Sequence, residues 1–144
     1  MRIKVVSLAN KLPLWLHSAM QFYIRRLQYP FVVDICAIKR KKPLNRLDLA
    51  QRMEQQAQSL FSHVAKNSRV ILLDQRGECL ASEAMAERYK DFIHKSVNVS
   101  MLIGGADGFS AEHLTRSDEV WSLSCLTLPH ALAQLLLLEQ TYRP

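Results

Sequence analysis

The sequence predicts an α/β domain with a mainly parallel sheet and flanking helices. Short β-branched runs alternate with longer segments of helical periodicity, so that five strands alternate with five helices. Parallel neighbours need crossover connections, and helices are the usual crossovers. A length of 144 residues suits one domain, and 49% apolar residues can form a sizeable core. We therefore expect residues 1–144 to form a single domain without repeats or linkers.

The first half of the chain predicts two strands and two helices. "RIKVVSL" is a β-branched run typical of a strand, and the helix that Pro13 can begin carries Leu16, Met20, Ile24 and Leu27 on one face. The predicted elements are a strand over 2–8, a helix after Pro13, a strand over 31–38, a solvated loop at "KRKKPLN" (39–45) and a helix over 47–64.

The second half predicts three strands and three helices. "RVILLD" (69–74) is a compact buried strand, and Ser82 can cap the helix that follows it, with Glu83 near the positive end of the helix dipole. The remaining predictions are a strand at "VNVSMLI" (97–103), a short helix after Ser110, a strand at "EVWSLS" (119–124) and an apolar helix over about 129–143.

Composition limits the possible functions. No apolar stretch is long enough to cross a membrane, and the first residues resemble a strand rather than a signal peptide, so we expect a cytoplasmic protein. The three cysteines are odd in number and widely spaced, which argues against disulfides and zinc sites. A net charge of +6 is compatible with a polyanionic partner but does not require one.

Two strand ends carry unusual sequence. "LIGGADGFS" (102–110) holds three of the four glycines, but it lacks the lysine of a phosphate loop and the GxGxxG spacing of a dinucleotide site. "SLSCLTLPH" (122–130) combines small hydroxyls with apolar side chains, which suits a purine and a thioether. Because ligands gather at the carboxyl ends of parallel strands, both segments are candidates for one binding site. A simple tight turn, a buried strand end and a helix-start role for His130 remain open.

Four motifs in the same order resemble the RlmH family, the SPOUT methyltransferases that modify a pseudouridine of large-subunit ribosomal RNA. These are "LLDQRG", "MLIGGADG", "WSLSCLTLPH" and "LLLLEQTYR", and the likeness begins at "RIKVVSLANKLPLWL". The resemblance implies a SPOUT-type α/β trefoil knot in the C-terminal part, a homodimer and S-adenosyl-L-methionine as the methyl donor. It also implies that the substrate is N3 of a pseudouridine in 23S ribosomal RNA of the assembled ribosome, with no DNA or membrane partner.

The resemblance places the donor in the loops of the knot. The matching positions in this sequence are Leu73, Gly104, Leu123, Ser124, Cys125, Leu126, Thr127 and Leu128. It gives no metal ligand, and no catalytic residue is assigned. The basic residues Arg25, Arg26 and the run from Lys39 to Lys42 would hold RNA phosphates without reading sequence, although a solvated charged loop explains each of them equally well.

Two departures from the family pattern leave a second function open. Family members continue beyond the "YR" motif into a short tail, and they carry an arginine in the last helix where this chain has Gln134. The alternative is therefore a donor-binding or ribosome-binding protein with little or no turnover. An enzyme acting on another small ligand is disfavoured, because no paired carboxylates or nucleophile triad stand out.

Overall fold

The computed structural model describes residues 1–8, 12–39 and 47–143. Within them, five strands alternate with five helices, and every paired strand runs parallel to its neighbour in the order β2-β1-β4-β3-β5. The elements are β1 (Arg2–Leu8), α1 (Leu14–Ile24), β2 (Val32–Ile38), α2 (Leu49–Phe61), β3 (Ser68–Cys79), α3 (Ser82–His94), β4 (Asn98–Ile103), α4 (Ala111–Thr115), β5 (Glu119–Ser122) and α5 (His130–Tyr142). The α/β class and the parallel sheet are therefore confirmed.

Several element boundaries differ from the sequence predictions: β5 ends at Ser122 and α2 ends at Phe61, and two further differences have identifiable reasons. β3 continues past Asp74, because an irregularity between Leu73 and Glu78 lets the strand resume its pairing with β5. A Cβ at Gly77 would lie 2.6 Å from backbone atoms of Val120, so only glycine permits this close approach. α2 starts at Leu49 rather than at residue 47, since Asp48 forms a capping box with the helix.

The predicted capping role of Ser82 is wrong. Ala81, with extended backbone, is the N-cap of α3 and Ser82 is the first helical residue. Its hydroxyl instead donates a hydrogen bond to Oε1 of Gln140 in α5. Ser110 does cap α4, since its Oγ accepts a hydrogen bond from the backbone N–H of His113 at 3.3 Å.

Apolar side chains cover both faces of the sheet. On one face, Trp121 and Tyr89 belong to a cluster that also contains Leu137 of α5. On the other face, Leu60 of α2 packs with Leu72, Leu102 and Phe109.

The buried Tyr89 links α3 to α5, because its hydroxyl makes a 3.0 Å hydrogen bond with the hydroxyl of Thr141. Burial raises the pKa of Tyr89 to about 12.

Helices α1 and α5 pack against each other. Leu16 and Met20 of α1 form a buried cluster with Leu138, and Leu135 packs against it. The leucines of α5 are therefore largely explained by packing within one chain, although Leu132 stays 42% exposed. None of the described helices is long and apolar enough to cross a membrane.

Candidate ligand-binding cleft

A cleft of about 570 Å³ lies where the carboxyl ends of β4 and β5 meet the irregular part of β3. This is the edge at which parallel sheets bind ligands. Three segments line it: Leu73, Asp74 and Gln75 from β3, the glycine-rich turn after β4, and the chain between β5 and the first turns of α5. The two unusual strand ends of the sequence thus face one shared space.

Seven of the eight predicted donor residues line this cleft. They are Leu73, Gly104, Leu123, Ser124, Leu126, Thr127 and Leu128. The eighth, Cys125, is exposed and is not among the lining residues, and its sulfur lies 4.0 Å from that of Cys79 at the end of β3. The structure therefore brings seven predicted positions together and leaves Cys125 beside the cleft, while their role in binding stays a prediction.

Residues 123–128, which we call the leucine loop, are held by hydrogen bonds of small hydroxyl side chains. Ser122 Oγ donates to the carbonyl of Ser124 at 2.9 Å, and Ser124 Oγ accepts from the backbone N–H of Leu126 at 2.8 Å. Thr127 Oγ1 donates to Oε1 of Gln75 at 3.2 Å, which joins the loop to β3. The loop presents Leu126 to the cleft with 75% of the residue's surface exposed.

Backbone conformation and packing within the chain explain two glycines of the glycine turn, Gly104 and Gly108. Gly108 has a φ of +70°, which glycine adopts at little cost, and its N–H donates to the carbonyl of Gly105 at 3.0 Å. A Cβ at Gly104 would lie 3.1 Å from the ring of Phe109. A larger side chain there would push on Phe109 before it reached a ligand, so a Gly104 variant does not cleanly probe binding.

The side chain of Arg76, to which the sequence analysis gave no role, joins two walls of the cleft. Arg76 Nε lies 2.8 Å from Oδ1 of Asp74, and a second guanidinium nitrogen donates to the backbone carbonyl of Phe109 at 2.5 Å. The hydrogen bond from Arg76 holds the pKa of Asp74 below its usual range. Arg76 stands within the "LLDQRG" motif, but only the folded chain shows that it reaches the glycine turn.

His130 also lines the cleft and is half-buried at the start of α5. Pro129 precedes it as the N-cap residue and accepts a hydrogen bond from the N–H of Ala133 at 3.0 Å. The position of His130 therefore agrees with a helix-start role and also leaves its imidazole at the cleft. Groups of three or more potential metal ligands are absent from the described residues.

Comparison with known proteins identifies the family. The model of a family described as "Predicted SPOUT methyltransferase" matches residues 1–144. This chain belongs to the SPOUT methyltransferase family. It is 40% identical to the ribosomal RNA large subunit methyltransferase H of Coxiella burnetii, covering 99% of this chain and 92% of that protein. It is 37% identical to the protein of the same name from Psychrobacter cryohalolentis, covering 99% and 91%. The family resemblance drawn from the motifs is confirmed.

A solved structure supports the fold of this SPOUT protein. A putative methylase family protein from Neisseria gonorrhoeae superposes with a TM-score of 0.56, at 10% identity, over 97% of this chain and 81% of that one. At such low identity the match concerns the fold alone.

A second cavity of this SPOUT protein, of about 1110 Å³, lies near the start of β2, between α1, α3 and the end of α5. Its lining is rich in cations and aromatic rings: Arg25, Arg26, Lys90, Arg143, Phe22, Tyr23, Tyr29 and Tyr142. Arg25 and Arg26, both predicted phosphate contacts, thus face the same cavity. Of the basic run from Lys39 to Lys42, only Lys39 belongs to the described residues.

Proposed function

We propose that this protein transfers a methyl group from S-adenosyl-L-methionine to N3 of a pseudouridine in 23S ribosomal RNA. One observation carries the proposal: seven of the eight donor positions expected from the motifs line a single cleft at the carboxyl end of the sheet. Family membership supports methyl transfer, and the names of the relatives support ribosomal RNA as the substrate.

The cleft fits a donor of this kind. Its volume of about 570 Å³ lies within the range of small-molecule sites, and its lining combines leucines with hydroxyl groups and backbone. Leu126 and Leu128 would cover the faces of the adenine, while Ser124 and Thr127 would provide polar contacts at the rim. When bound, S-adenosyl-L-methionine supplies a methyl group already activated by its sulfonium.

The protein's own task is then mainly alignment. The leucine loop and the glycine turn both line the cleft and would exclude water and orient the reacting groups, which lowers the barrier by restricting their relative motion. The N3 proton of the base must also leave. An imidazole nitrogen can accept a proton, and His130 lines the same cleft, so His130 is the first residue to test for this role.

Basic residues would hold the RNA. Arg25, Arg26, Lys90 and Arg143 surround the second cavity together with exposed aromatic rings, and the whole chain has a net charge of +6. Arginine and lysine contacts to phosphates position a nucleic acid without reading its sequence. The 23S ribosomal RNA of an assembled ribosome in the cytoplasm is the substrate that this proposal implies.

The trefoil knot and the homodimer that the family resemblance implies belong to the same proposal. The glycine turn and the leucine loop line the same cleft, as loops of a trefoil knot in the C-terminal part would. We further propose a homodimer, because Leu14, Trp15 and Leu132 remain exposed on the packed pair α1 and α5.

Leu126→Asp tests the donor site. Leu126 is 75% exposed, so the variant should fold, but a carboxylate in the apolar wall should weaken binding of S-adenosyl-L-methionine by about tenfold or more. Isothermal titration calorimetry measures the affinity. Transfer of labelled methyl groups to ribosomes that lack the modification measures activity, which should fall with it.

Leu49→Asp is the matched control, because Leu49 is 53% exposed on α2 and is not among the residues that line the cleft. It should bind the donor as the parent protein does. Equal affinity of the parent and the Leu126 variant would remove the leucine loop from the binding site. Donor binding without transfer to unmodified ribosomes would favour a binding protein over the methyltransferase.

A further inference from the structure

Two cysteines that are 46 residues apart in the sequence meet beside the cleft. Cys79 is the last residue of β3, and Cys125 lies in the leucine loop, with 4.0 Å between the two sulfurs. Both are free and exposed, whereas Cys36 lies on β2 and is only partly exposed. The folded chain thus creates a pair that the spacing of the three cysteines did not predict.

We propose that Cys79 and Cys125 form a reversible disulfide that tethers the leucine loop to β3. A disulfide needs its sulfurs at about 2.05 Å, so the side chains must close the present gap by rotation and a small movement of the exposed loop. With a glutathione disulfide as oxidant, one cysteine thiolate attacks a glutathione sulfur and releases one glutathione thiol. The second cysteine then attacks the mixed disulfide and releases another, so two thiols are oxidised and one disulfide is reduced.

The bond would act on the cleft through the residues on either side of Cys125. Ser124 and Leu126 both line the cleft, and the Ser124 hydroxyl accepts the N–H of Leu126 across Cys125. A tether at Cys125 therefore restricts the opening of the loop and slows the exchange of a ligand in both directions. The consequence for the methyl donor rests on the proposed function, whereas formation of the bond does not. Solvent accessibility and a second cysteine that can resolve the mixed disulfide are two features that this pair shares with redox-responsive sites.

Peptide mapping tests the bond directly. The reduced protein is incubated with oxidised glutathione, digested with trypsin without reduction and analysed by mass spectrometry. We expect peptides 77–88 and 117–144 to be joined, with the loss of two hydrogens, and dithiothreitol to separate them. Cys36→Ser should leave the joined peptide unchanged, while Cys79→Ser and Cys125→Ser should each abolish it.

Three results would overturn the proposal. These are glutathione attached separately to Cys79 and Cys125, a bond between two copies of the chain, and a preferred bond to Cys36. A non-reducing gel identifies cross-linked copies, and the mass of each peptide identifies attached glutathione. Circular dichroism of the serine variants shows whether loss of the joined peptide follows from misfolding.

Hydrogen exchange tests the effect on the loop without any ligand. Amide exchange in residues 123–128 should slow by about tenfold in the oxidised protein, as expected when a cross-link restricts an open state. Unchanged exchange in a protein with the bond formed would refute the tether. Stopped-flow binding of S-adenosyl-L-methionine to both redox states is the separate measurement. If neither state binds the donor but the loop is protected, the proposed function fails and the tether stands.

Discussion

Arg76 connects two walls of the cleft through a single side chain. It is paired with Asp74 and also donates to the carbonyl of Phe109, which ends the glycine turn. An arginine in this position satisfies a backbone carbonyl that the turn leaves without a helix or strand partner. The shape of the turn therefore depends on β3 as well as on its own glycines.

Arg76→Ala should loosen the glycine turn. Because hydrogen bonds to charged groups contribute about 1.5–3 kcal/mol and this side chain is half-exposed, we expect a loss of about 1 kcal/mol in the free energy of unfolding. Amide exchange in 104–109 should rise in the same variant. Arg2→Ala is the control, since Arg2 and Asp34 form a longer and more exposed pair at 3.5 Å. Equal effects of the two changes on exchange in the turn would contradict the assignment.

Helices α2 and α4 are joined by a pair that includes a buried histidine. His113 is 1% exposed, and its Nε2 lies 2.7 Å from Oε2 of Glu54. Its Nδ1 accepts the N–H of Ser110, so the proton shared with Glu54 is on Nε2. This contact fixes α4, and with it the end of the glycine turn, against the neighbouring helix.

Glu54→Gln tests this connection through the pH dependence of stability. The hydrogen bond with His113 lowers the pKa of Glu54, so its stabilising effect is present above the usual value of about 4.5 and is lost as the pH falls through the lower folded value. The variant lacks this contribution, and its unfolding free energy should fall less steeply below pH 4.5 than that of the parent. Urea unfolding between pH 3 and 7 measures both curves. Glu87→Gln, on an exposed pair with Lys90, should follow the parent.

The order and type of the elements could be predicted because each depends on local periodicity. β1 begins and ends where the β-branched run does, and α4 follows Ser110 as its hydroxyl suggests. The start of α3 could not be predicted in this way, since the hydroxyl of Ser82 donates a hydrogen bond to Gln140, a residue 58 positions away, and does not cap the helix. The extension of β3 depends in the same way on Gly77 passing close to Val120.

Some residues of the candidate site could likewise be predicted from local sequence, and others could not. Its leucines and glycines follow strand ends, so the sequence indicates them, while Arg76 and the pair formed by Cys79 and Cys125 depend on contacts between distant segments. Gly104 shows how a residue can be indicated correctly for an incomplete reason, because a glycine beside a cleft suggests room for a ligand. In the structure the nearest atoms to its absent side chain belong to Phe109. Packing of the chain against itself thus explains part of a motif for which the sequence left both a tight turn and a ligand site open.

The whole molecule exposes an apolar patch next to the cleft. Leu14 is 82% exposed, Trp15 57% and Leu132 42%, at the first turns of α1 and α5. The two helices run side by side in the same direction, because the ring centroids of Tyr23 and Tyr142, near the C-terminal ends of α1 and α5, lie 5.8 Å apart. Leu12 and Ala131, near the N-terminal ends, pack against the cluster that the two helices share. Since Pro129 and His130 line the cleft, a partner on this patch would lie near the proposed donor site.

Trp15→Glu should therefore weaken a homodimer. Tryptophans near the centre of an interface contribute strongly to binding, so we expect the dissociation constant of the dimer to rise by about tenfold or more. Sedimentation velocity at micromolar concentration measures the change, and thermal unfolding shows whether the subunit stays folded. Tyr29→Glu is the matched control, because Tyr29 is 97% exposed but lines the second cavity, and it should leave the dimer intact. A parent protein that sediments only as a monomer would refute the dimer, and weakening by Tyr29→Glu alone would move the interface to the second cavity.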